Sequence, residues 1–319
     1  MASDSVPIID VGPLFQRKEG VMQVARQIDH ACRTWGFFYV VGHPIPREQL
    51  ERVMETAKRF FSLPLEEKLT VDIRKSKHHR GYGCLNAENL DPTKPFDSKE
   101  TFDMGFHLPE DHPDVVAGRP LRGPNNHPTQ VEGWVELMEG HYRDMQAFAL
   151  VILRALALAI GLEENFFDSK FEEPLSVLRM VHYPPQKEES QFPLVCGAHT
   201  DYGIVTLLYQ DDVGGLEVRN ISGEWVSVEP IEGSFVVNIG DMMNMWSNGR
   251  YRSTAHRVRI TTVDRYSMPF FCEPNPYTII ECLEHCHSPD DPPKHPPVRA
   301  VDWLLKRFHE TYAHRRAKM

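Results

Sequence analysis

The sequence has few cysteines and no long uninterrupted apolar run. Six cysteines in 319 residues are too sparse for a disulfide scaffold, which predicts a reducing, cytoplasmic location. The longest apolar stretch, FALVILRALALAIGL, is interrupted by Arg154 and predicts a buried helix rather than a membrane span. No apolar segment follows a basic start, so no secretory signal peptide is expected.

Positive charge is also scarce. The chain has 35 Lys and Arg against 45 Asp and Glu, for a formal net charge of −10. Nucleic acids and anionic membranes attract proteins with a positive footprint, so neither partner is expected. The length is sufficient for a sizeable core in one large domain or two tightly joined ones, and the oligomeric state is left open.

Helical patterns come early in the chain and strand patterns later. Residues 6–10 and the run GFFYVVGH predict short strands, and residues 75–128 predict a loop region because they are rich in Pro, Asp, His and Gly. Apolar residues spaced three and four positions apart predict helices over residues 21–35, 47–61, 134–160 and 298–318. The helix over residues 134–160 is expected to be a long spine packed against the sheet.

Residues 176–271 alternate short strand patterns with turn signals at DDVGG, NISGEW and IEGS. This alternation is typical of a double-sheet jelly roll. The predicted fold class is therefore α+β. Glycines at these turns are expected to adopt positive φ, and they are Gly214, Gly215, Gly233 and Gly240.

Three residues of metal-ligand type form the most specific pattern. His199 and Asp201 lie one residue apart in LVCGAHTDYGIVTLLYQ, where we expect a strand that presents both side chains on one face. His256 follows in a second predicted strand, YRSTAHRVRITTV. Two imidazoles and one carboxylate are the ligand set of non-haem Fe(II) oxygenases, which leaves metal positions open for substrate and O₂. The alternative is chance, since the chain has sixteen histidines.

Arg265 and Ser267 lie two residues apart on the next predicted strand. A guanidinium binds a carboxylate through two parallel hydrogen bonds, and a hydroxyl two residues on donates a third. The pair therefore suits the far carboxylate of a small dicarboxylate such as 2-oxoglutarate. The alternative is a solvated strand arginine and an ordinary strand serine.

The run from GLEVRN to SMPFF resembles the catalytic core of the 2-oxoglutarate and Fe(II)-dependent oxygenase superfamily, in its isopenicillin N synthase-like branch. The runs VPIIDVGPL, ACRTWGFFYVVGHPIP, FFSLPLEEKL and RGYG are similar to the N-terminal domain of that branch. The resemblance implies a double-stranded β-helix (jelly-roll) core with an N-terminal α/β segment and flanking helices. We expect an N-terminal domain over residues 1–128, a spine helix and connection over 129–174, the catalytic core over 175–275 and a C-terminal extension over 276–319.

The resemblance also implies roles for individual residues. The metal ligands of the family fall on His199, Asp201 and His256, and its cosubstrate clamp falls on Arg265 and Ser267. Many members carry Asn-Tyr-Tyr-Pro before the first ligand, whereas this chain reads Val-His-Tyr-Pro. The cosubstrate-binding role therefore passes to Tyr183 alone, and the asparagine role is absent.

The implied activity is oxidation of a C–H bond in a small organic molecule, by hydroxylation, desaturation or cyclisation, with release of succinate and CO₂. Fe(II), 2-oxoglutarate and O₂ are the expected cofactors, with ascorbate as a candidate reductant. Two alternatives stay open: a related iron oxidase that uses no 2-oxoglutarate, and a non-catalytic jelly-roll binding protein.

Substrate contacts are expected from residues 75–106 and from the C-terminal segment, because binding residues concentrate on loops held by a scaffold. The candidates are Arg80 as an anion anchor and Tyr82, Phe102 and Phe271 as apolar lining. The alternative for Arg80 is a loop arginine that pairs with acidic residues of the protein. A zinc site in the last segment is disfavoured because its spacing is too compact for usual zinc patterns; the residues concerned are Cys282, His285, Cys286 and His287.

Overall fold

The computed structural model describes residues 5–16, 19–90, 97–186 and 194–312. Helices and strands follow each other in a mixed α+β order. The helices are α1 (Gly12–Gln16), α2 (Val21–Thr34), α3 (Arg47–Phe61), α4 (Leu65–Lys68), α5 (Pro113–Val116), α6 (Trp134–Ile160), α7 (Asp241–Trp246) and α8 (Ala300–Thr311).

The strands are β1 (Ile8–Asp10), β2 (Phe37–Val41), β3 (Gly81–Gly83), β4 (Glu100–Gly105), β5 (Val177–Tyr183), β6 (Leu194–His199), β7 (Val205–Gln210), β8 (Leu216–Arg219), β9 (Trp225–Ser227), β10 (Phe235–Ile239), β11 (His256–Arg259), β12 (Arg265–Cys272), β13 (Ile279–Ile280) and β14 (Val298–Arg299).

Two sheets make up the jelly-roll core. The larger has the order β1-β2-β10-β7-β12-β5-β4-β3, and the smaller has the order β6-β11-β8-β9. The central strands of the larger sheet come from the second half of the chain, and the N-terminal strands extend it at both edges. Apolar side chains of both sheets form one buried cluster, to which Val181 and Val258 belong. The two sheets therefore enclose an interior where a site can be shielded from water.

The opposite face of the large sheet is covered by helices. Helix α6 packs against α2, α3 and strand β12, and its buried residues belong to the larger core cluster. The helix ends at Gly161, whose φ of 92° is left-handed and whose N–H donates to the carbonyls of Ala157 and Leu158. Within the described part of the chain, no helix is both long enough and apolar enough to cross a bilayer.

The predicted helices over residues 47–61 and 134–160 are confirmed at both ends. The predicted final helix begins later than expected, because Val298 and Arg299 pair with β13 before α8 starts. Its expected end lies outside the described residues. The four-part division of the chain stays a prediction.

The glycine expectations hold at three of four positions. Gly214, Gly215 and Gly233 have φ values of 81°, 88° and 68°. Gly240 was wrongly assigned a positive φ, since its φ is −97°. Its lack of a side chain has another reason: a Cβ there would lie 2.3 Å from the carbonyl oxygen of Gly203. Gly240 is thus a point of close backbone approach beside the segment that carries Asp201.

Candidate metal centre and adjoining cavities

Three predicted ligands converge at one point between the sheets. His199 ends β6 and His256 begins β11, and the two are register partners in the small sheet. Their Nε2 atoms lie 3.8 and 3.6 Å from Oδ1 of Asp201. All three ligand atoms lie within 4.8 Å of one another, a grouping that suits a single metal ion.

The second nitrogen of each imidazole is tied to a backbone carbonyl. Nδ1 of His199 donates to the carbonyl of Gly197 at 2.8 Å, and Nδ1 of His256 donates to that of Thr254 at 3.2 Å. A carbonyl only accepts, so Nδ1 carries the proton and Nε2 keeps its lone pair. Outer hydrogen bonds of this kind orient metal-binding histidines. The donor set therefore fits a metal such as iron.

Asp201 lies beyond the end of β6, which corrects the prediction that it shares a strand face with His199. Its backbone carbonyl accepts from the N–H of Asp241 at 2.8 Å, so the segment has left the strand ladder. Its Oδ2 accepts from the Thr206 hydroxyl at 2.5 Å and from the Asn238 amide at 2.7 Å. Hydrogen bonds rather than strand geometry thus aim Oδ1 at the imidazoles.

Electrostatics favour the metal-binding protonation states. Burial lowers the pKa of His256 well below its usual value, and the neighbouring His199 lowers it further, so the imidazole is neutral at neutral pH. Burial alone would raise the pKa of Asp201, but the two imidazoles and the bonds from Thr206 and Asn238 lower it. Neutral imidazoles and an ionised carboxylate are the forms that ligate metals.

The predicted cosubstrate residues lie together on neighbouring strands. Arg265 is buried on β12 and is the register partner of Tyr183 on β5, whose ring lies 5.0 Å from the guanidinium carbon. Its Nε donates to the carbonyl of Gly214 at 2.6 Å, and its Nη2 donates to Gln210 at 2.9 Å. Its Nη1 lies 3.4 Å from the hydroxyl of Ser267. Gly214 and Gln210 therefore fix the orientation of the guanidinium, and its Nη1 lies beside the Ser267 hydroxyl.

One cavity, which we call the strand cavity, is lined by all six residues predicted to bind the metal or the cosubstrate. They are His199, Asp201, His256, Tyr183, Arg265 and Ser267. It encloses about 600 Å³, including the space at its mouth. A second cavity, the helix cavity, is bordered by Phe308 of α8 and encloses about 500 Å³ when the open space at its mouth is included. His199 and Asp201 line both cavities. His199 and Asp201 therefore lie between the strand cavity, which contains Arg265 and Ser267, and the helix cavity, which does not.

A buried ion-pair network lies between the two cavities. Arg179, on β5, donates to both carboxylate oxygens of Asp103 at 2.7 and 2.8 Å and to Glu88 at 3.2 Å. It also donates to the Tyr312 hydroxyl. Lys99 pairs with Glu88 at 2.9 Å and Nζ lies 3.5 Å from Sγ of Cys196. The network links β4 and β5 to the C-terminal segment around the helix cavity.

Three of the four predicted substrate residues are placed elsewhere. Arg80 is buried and donates to the carbonyls of His78, His79 and Leu121, so its printed hydrogen bonds go to the backbone rather than to protein acids. Tyr82 donates to Glu100 at 2.6 Å, and Phe102 packs on Trp134 in the core beneath α6. Neither aromatic lines the two cavities.

Strand alternation explains this error. Asp103 lines the helix cavity, so its neighbour Phe102 on β4 must point to the opposite, helix-covered face. Phe271 lines both cavities as expected. The expected regions do contribute to the helix cavity, but through His79, Glu88, Leu90 and Phe308.

Two other clusters of metal-ligand residue types are weaker candidates for metal sites. In the described residues, no three ligand atoms of Cys282, His285, Cys286 and His287 come together around one point. His107, His127 and Glu139 do come together. However, Nδ1 of His127 accepts from the Trp134 indole at 3.2 Å, so Nε2 carries the proton that it donates to Glu139. That nitrogen has no free lone pair for a metal.

Comparison with known proteins agrees with this geometry. Residues 6–130 match the family model of the non-haem dioxygenase in morphine synthesis N-terminal domain, and residues 174–274 match the 2OG-Fe(II) oxygenase superfamily. A 2-oxoglutarate-Fe(II) type oxidoreductase from Emericella nidulans is 39% identical, with 98% of this chain and 92% of the relative covered. The chain belongs to the 2OG-Fe(II) oxygenase superfamily.

Further relatives agree in cofactor but differ in substrate. A homoarginine-6-hydroxylase from Arabidopsis thaliana is 38% identical over 96% of this chain and 95% of its own. The crystal structure of a full-length Neurospora crassa protein in complex with alpha-KG and thymine has a TM-score of 0.86 and 30% identity, covering 97% of this chain and 98% of the other. The predicted fold class and the 2-oxoglutarate-dependent dioxygenase activity are confirmed, and the His-Asp-His grouping fits iron.

Several residues of the site escaped the sequence analysis, and two of them, Asn238 and Arg179, carried a signal. Asn238 interrupts the buried run FVVNI, and Arg179 interrupts VLRMV. A polar side chain inside an apolar strand must have a buried partner, which marks such positions as structural or functional. Lys99 and Glu273 lie at strand ends and had no comparable signal.

Proposed function

We propose that His199, Asp201 and His256 bind one Fe(II), and that Arg265 and Ser267 hold the far carboxylate of 2-oxoglutarate, with Tyr183 beside them. The observation that carries the proposal is that all six residues line the strand cavity, and that His199 and Asp201 also line the helix cavity. When bound, iron and 2-oxoglutarate supply the oxidant for a C–H bond, with release of succinate and CO₂.

The residues of the chain perform positioning and shielding. Arg265, already held by Gly214 and Gln210, needs no reorganisation to receive a carboxylate, which reduces the entropic cost of binding. The buried walls of the strand cavity exclude water from the charges inside and so strengthen their interactions. Phe271, which lines both cavities, is placed to position substrate close to the triad.

We propose that the helix cavity receives a small organic substrate. Its lining combines apolar side chains with a few polar groups and includes His199 and Asp201, the composition typical of small-molecule sites. The curated relatives and solved neighbours are named for different small molecules, among them homoarginine and thymine. Hydroxylation, desaturation and cyclisation all remain open outcomes, since the outcome depends on which C–H bond faces the metal. The cytoplasmic location and the use of ascorbate stay predictions.

The test is a titration of the full chain with Fe(II) and 2-oxoglutarate without O₂, followed by O₂ and measurement of succinate across a panel of metabolites. We expect one iron per chain and succinate in proportion to O₂ consumed. Oxygen consumption without succinate would instead indicate the oxidase alternative. Absence of both iron binding and O₂ consumption would indicate a binding protein.

A further inference from the structure

The helix cavity carries an excess of acidic side chains. Its lining includes the carboxylates of Glu88, Asp103, Asp201 and Glu273, against one arginine, Arg179. Three of these acids have partners in the fold. Glu88 pairs with Lys99 and Arg179, Asp103 receives two bonds from Arg179, and Asp201 is held by Thr206 and Asn238.

Glu273 differs from the other three acids. Only 4% of the residue is exposed, and its Oε2 is buried without a hydrogen-bond partner among the described residues. Arg179, the arginine that lines the same cavity, pairs with Glu88 and Asp103 instead. Burial raises the pKa of Glu273, and the charges of Arg80 and Arg179 only partly offset this, so that the pKa lies at about 8.

The position of Glu273 is fixed by its surroundings. The hydroxyl of Ser176 accepts from its backbone N–H at 3.1 Å and donates to its carbonyl at 3.2 Å. On the other side, a Cβ at Gly203 would lie 2.8 Å from Cγ of Glu273. The absence of a side chain at Gly203, two residues after Asp201, therefore lets the carboxyl group approach the segment that carries a candidate metal ligand.

An unpartnered buried carboxyl group destabilises a fold, because it loses hydration without gaining a bond. Such groups persist where a ligand completes them. We propose that Glu273 is the specificity residue of the helix cavity and accepts a hydrogen bond from an N–H group of the substrate. This inference rests on the proposed function, and it assigns the substrate class: a compact molecule with an N–H donor.

The remaining lining describes the rest of that molecule. Val177, Phe271 and Phe308 offer apolar surface around the carboxyl group. Arg179, the one arginine among the described lining residues, is already engaged by two carboxylates, so it is not free to bind a substrate anion. The N–H group belongs either to a neutral ring amide or to a cationic guanidinium or amine, and both meet the same oxygen.

The experiment measures binding to the full chain loaded with Fe(II) and 2-oxoglutarate without O₂. The probes are thymine as a neutral ring amide, L-homoarginine as a cation, and a library of small metabolites split evenly between N–H compounds and size-matched nitrogen-free compounds. We expect the compounds that bind to carry N–H groups. The proposal is overturned if no N–H compound binds or if the tightest ligand lacks nitrogen.

Variants at position 273 test the contact itself. Glu273→Leu should weaken the best N–H ligand at least tenfold, as expected for loss of about 1.4 kcal/mol or more. Glu273→Gln keeps an acceptor oxygen but cannot ionise, so it should spare a neutral amide and weaken a cation, which pairs with the ionised carboxylate. Glu281→Gln, an exposed change nearby, is the control. Unchanged affinity in Glu273→Leu would contradict the proposal.

Thermal stability separates recognition from a structural role. Glu273→Leu removes an unpartnered buried carboxyl group, so the Tm of the ligand-free protein should rise. A fall in Tm would show that Glu273 supports the fold and would overturn its assignment to the substrate. Iron and 2-oxoglutarate binding are measured first on the same sample. If they fail, the proposed function is wrong; if they succeed, the outcome of the substrate experiment concerns Glu273 alone.

Discussion

His199 and His256 are register partners across strands β6 and β11, and their ring centroids lie 4.3 Å apart. The pairing brings together two residues that are 57 positions apart in the chain. Strand register is set by the buried face and the ladder hydrogen bonds. The small sheet therefore holds two candidate ligands side by side before any metal binds, and only Asp201 has to be positioned by a loop.

Loss of a ligand should abolish iron binding while the fold persists. His199→Ala leaves one imidazole and one carboxylate, too few donors to retain the metal. Iron content after gel filtration, with circular dichroism for the fold, measures this. His107→Ala, in the other histidine cluster, is the matched control and should retain iron. Full iron content and turnover in His199→Ala would disprove the ligand assignment.

The hydrogen bonds to Asp201 should set metal affinity. Thr206→Val keeps the shape of the side chain but removes the hydroxyl that donates to Oδ2. Loss of such an outer partner typically costs about 10- to 100-fold in metal affinity. Fe(II) affinity by competition with a chelator measures the effect. An affinity equal to that of the wild type would show that Asn238 alone suffices to orient the carboxylate.

Arg265→Lys should strongly raise the apparent KM for 2-oxoglutarate. The lysine keeps the charge but loses the planar guanidinium, and hydrogen bonds to charged groups are worth about 1.5–3 kcal/mol, or roughly 10- to 100-fold. Initial rates of succinate formation against 2-oxoglutarate concentration measure this. Arg259→Lys, exposed on β11, is the control. An unchanged apparent KM would show that Arg265 does not bind the carboxylate of 2-oxoglutarate.

Arg179 should be essential to stability. Its replacement by Met leaves Asp103 without its bidentate partner, and breaking a buried ion pair in this way costs about 3–5 kcal/mol. Chemical denaturation measures the free energy of unfolding. The double variant with Asp103→Leu should lose less than the two single variants summed, because it removes the stranded carboxylate. Simple additivity would argue against a direct coupling.

Stability should depend on the charge of His182. Burial opposes that charge, but hydrogen bonds of 2.7 Å to both Glu100 and Asp264 outweigh it and raise the pKa above 6.5. The folded state therefore holds the proton more tightly than the unfolded state, so this stabilisation is complete below the unfolded pKa and is lost as pH rises through the folded pKa. We expect His182→Asn to lower Tm more at pH 6 than at pH 9. Equal losses at both pH values would refute the charged state.

The sequence alone was sufficient for the fold class, the family resemblance and the six residues that line the strand cavity. These features depend on local patterns, namely strand alternation, turn signals and the short motifs around His199, His256 and Arg265. The spine helix was predicted at both ends because a periodic apolar stripe bounded by glycines is a local signal.

Tertiary structure alone decided which side chains face the second cavity. Phe102 and Asp103 are neighbours in sequence, yet one packs beneath α6 and the other lines the helix cavity. The face that a strand turns to the core depends on its partners across the sheet and on the helix above it, both distant in sequence. The same dependence places Arg80 among backbone carbonyls and leaves Oε2 of Glu273 buried without a hydrogen-bond partner among the described residues. A buried group's chemistry follows from what surrounds it, and those surroundings are assembled only by folding.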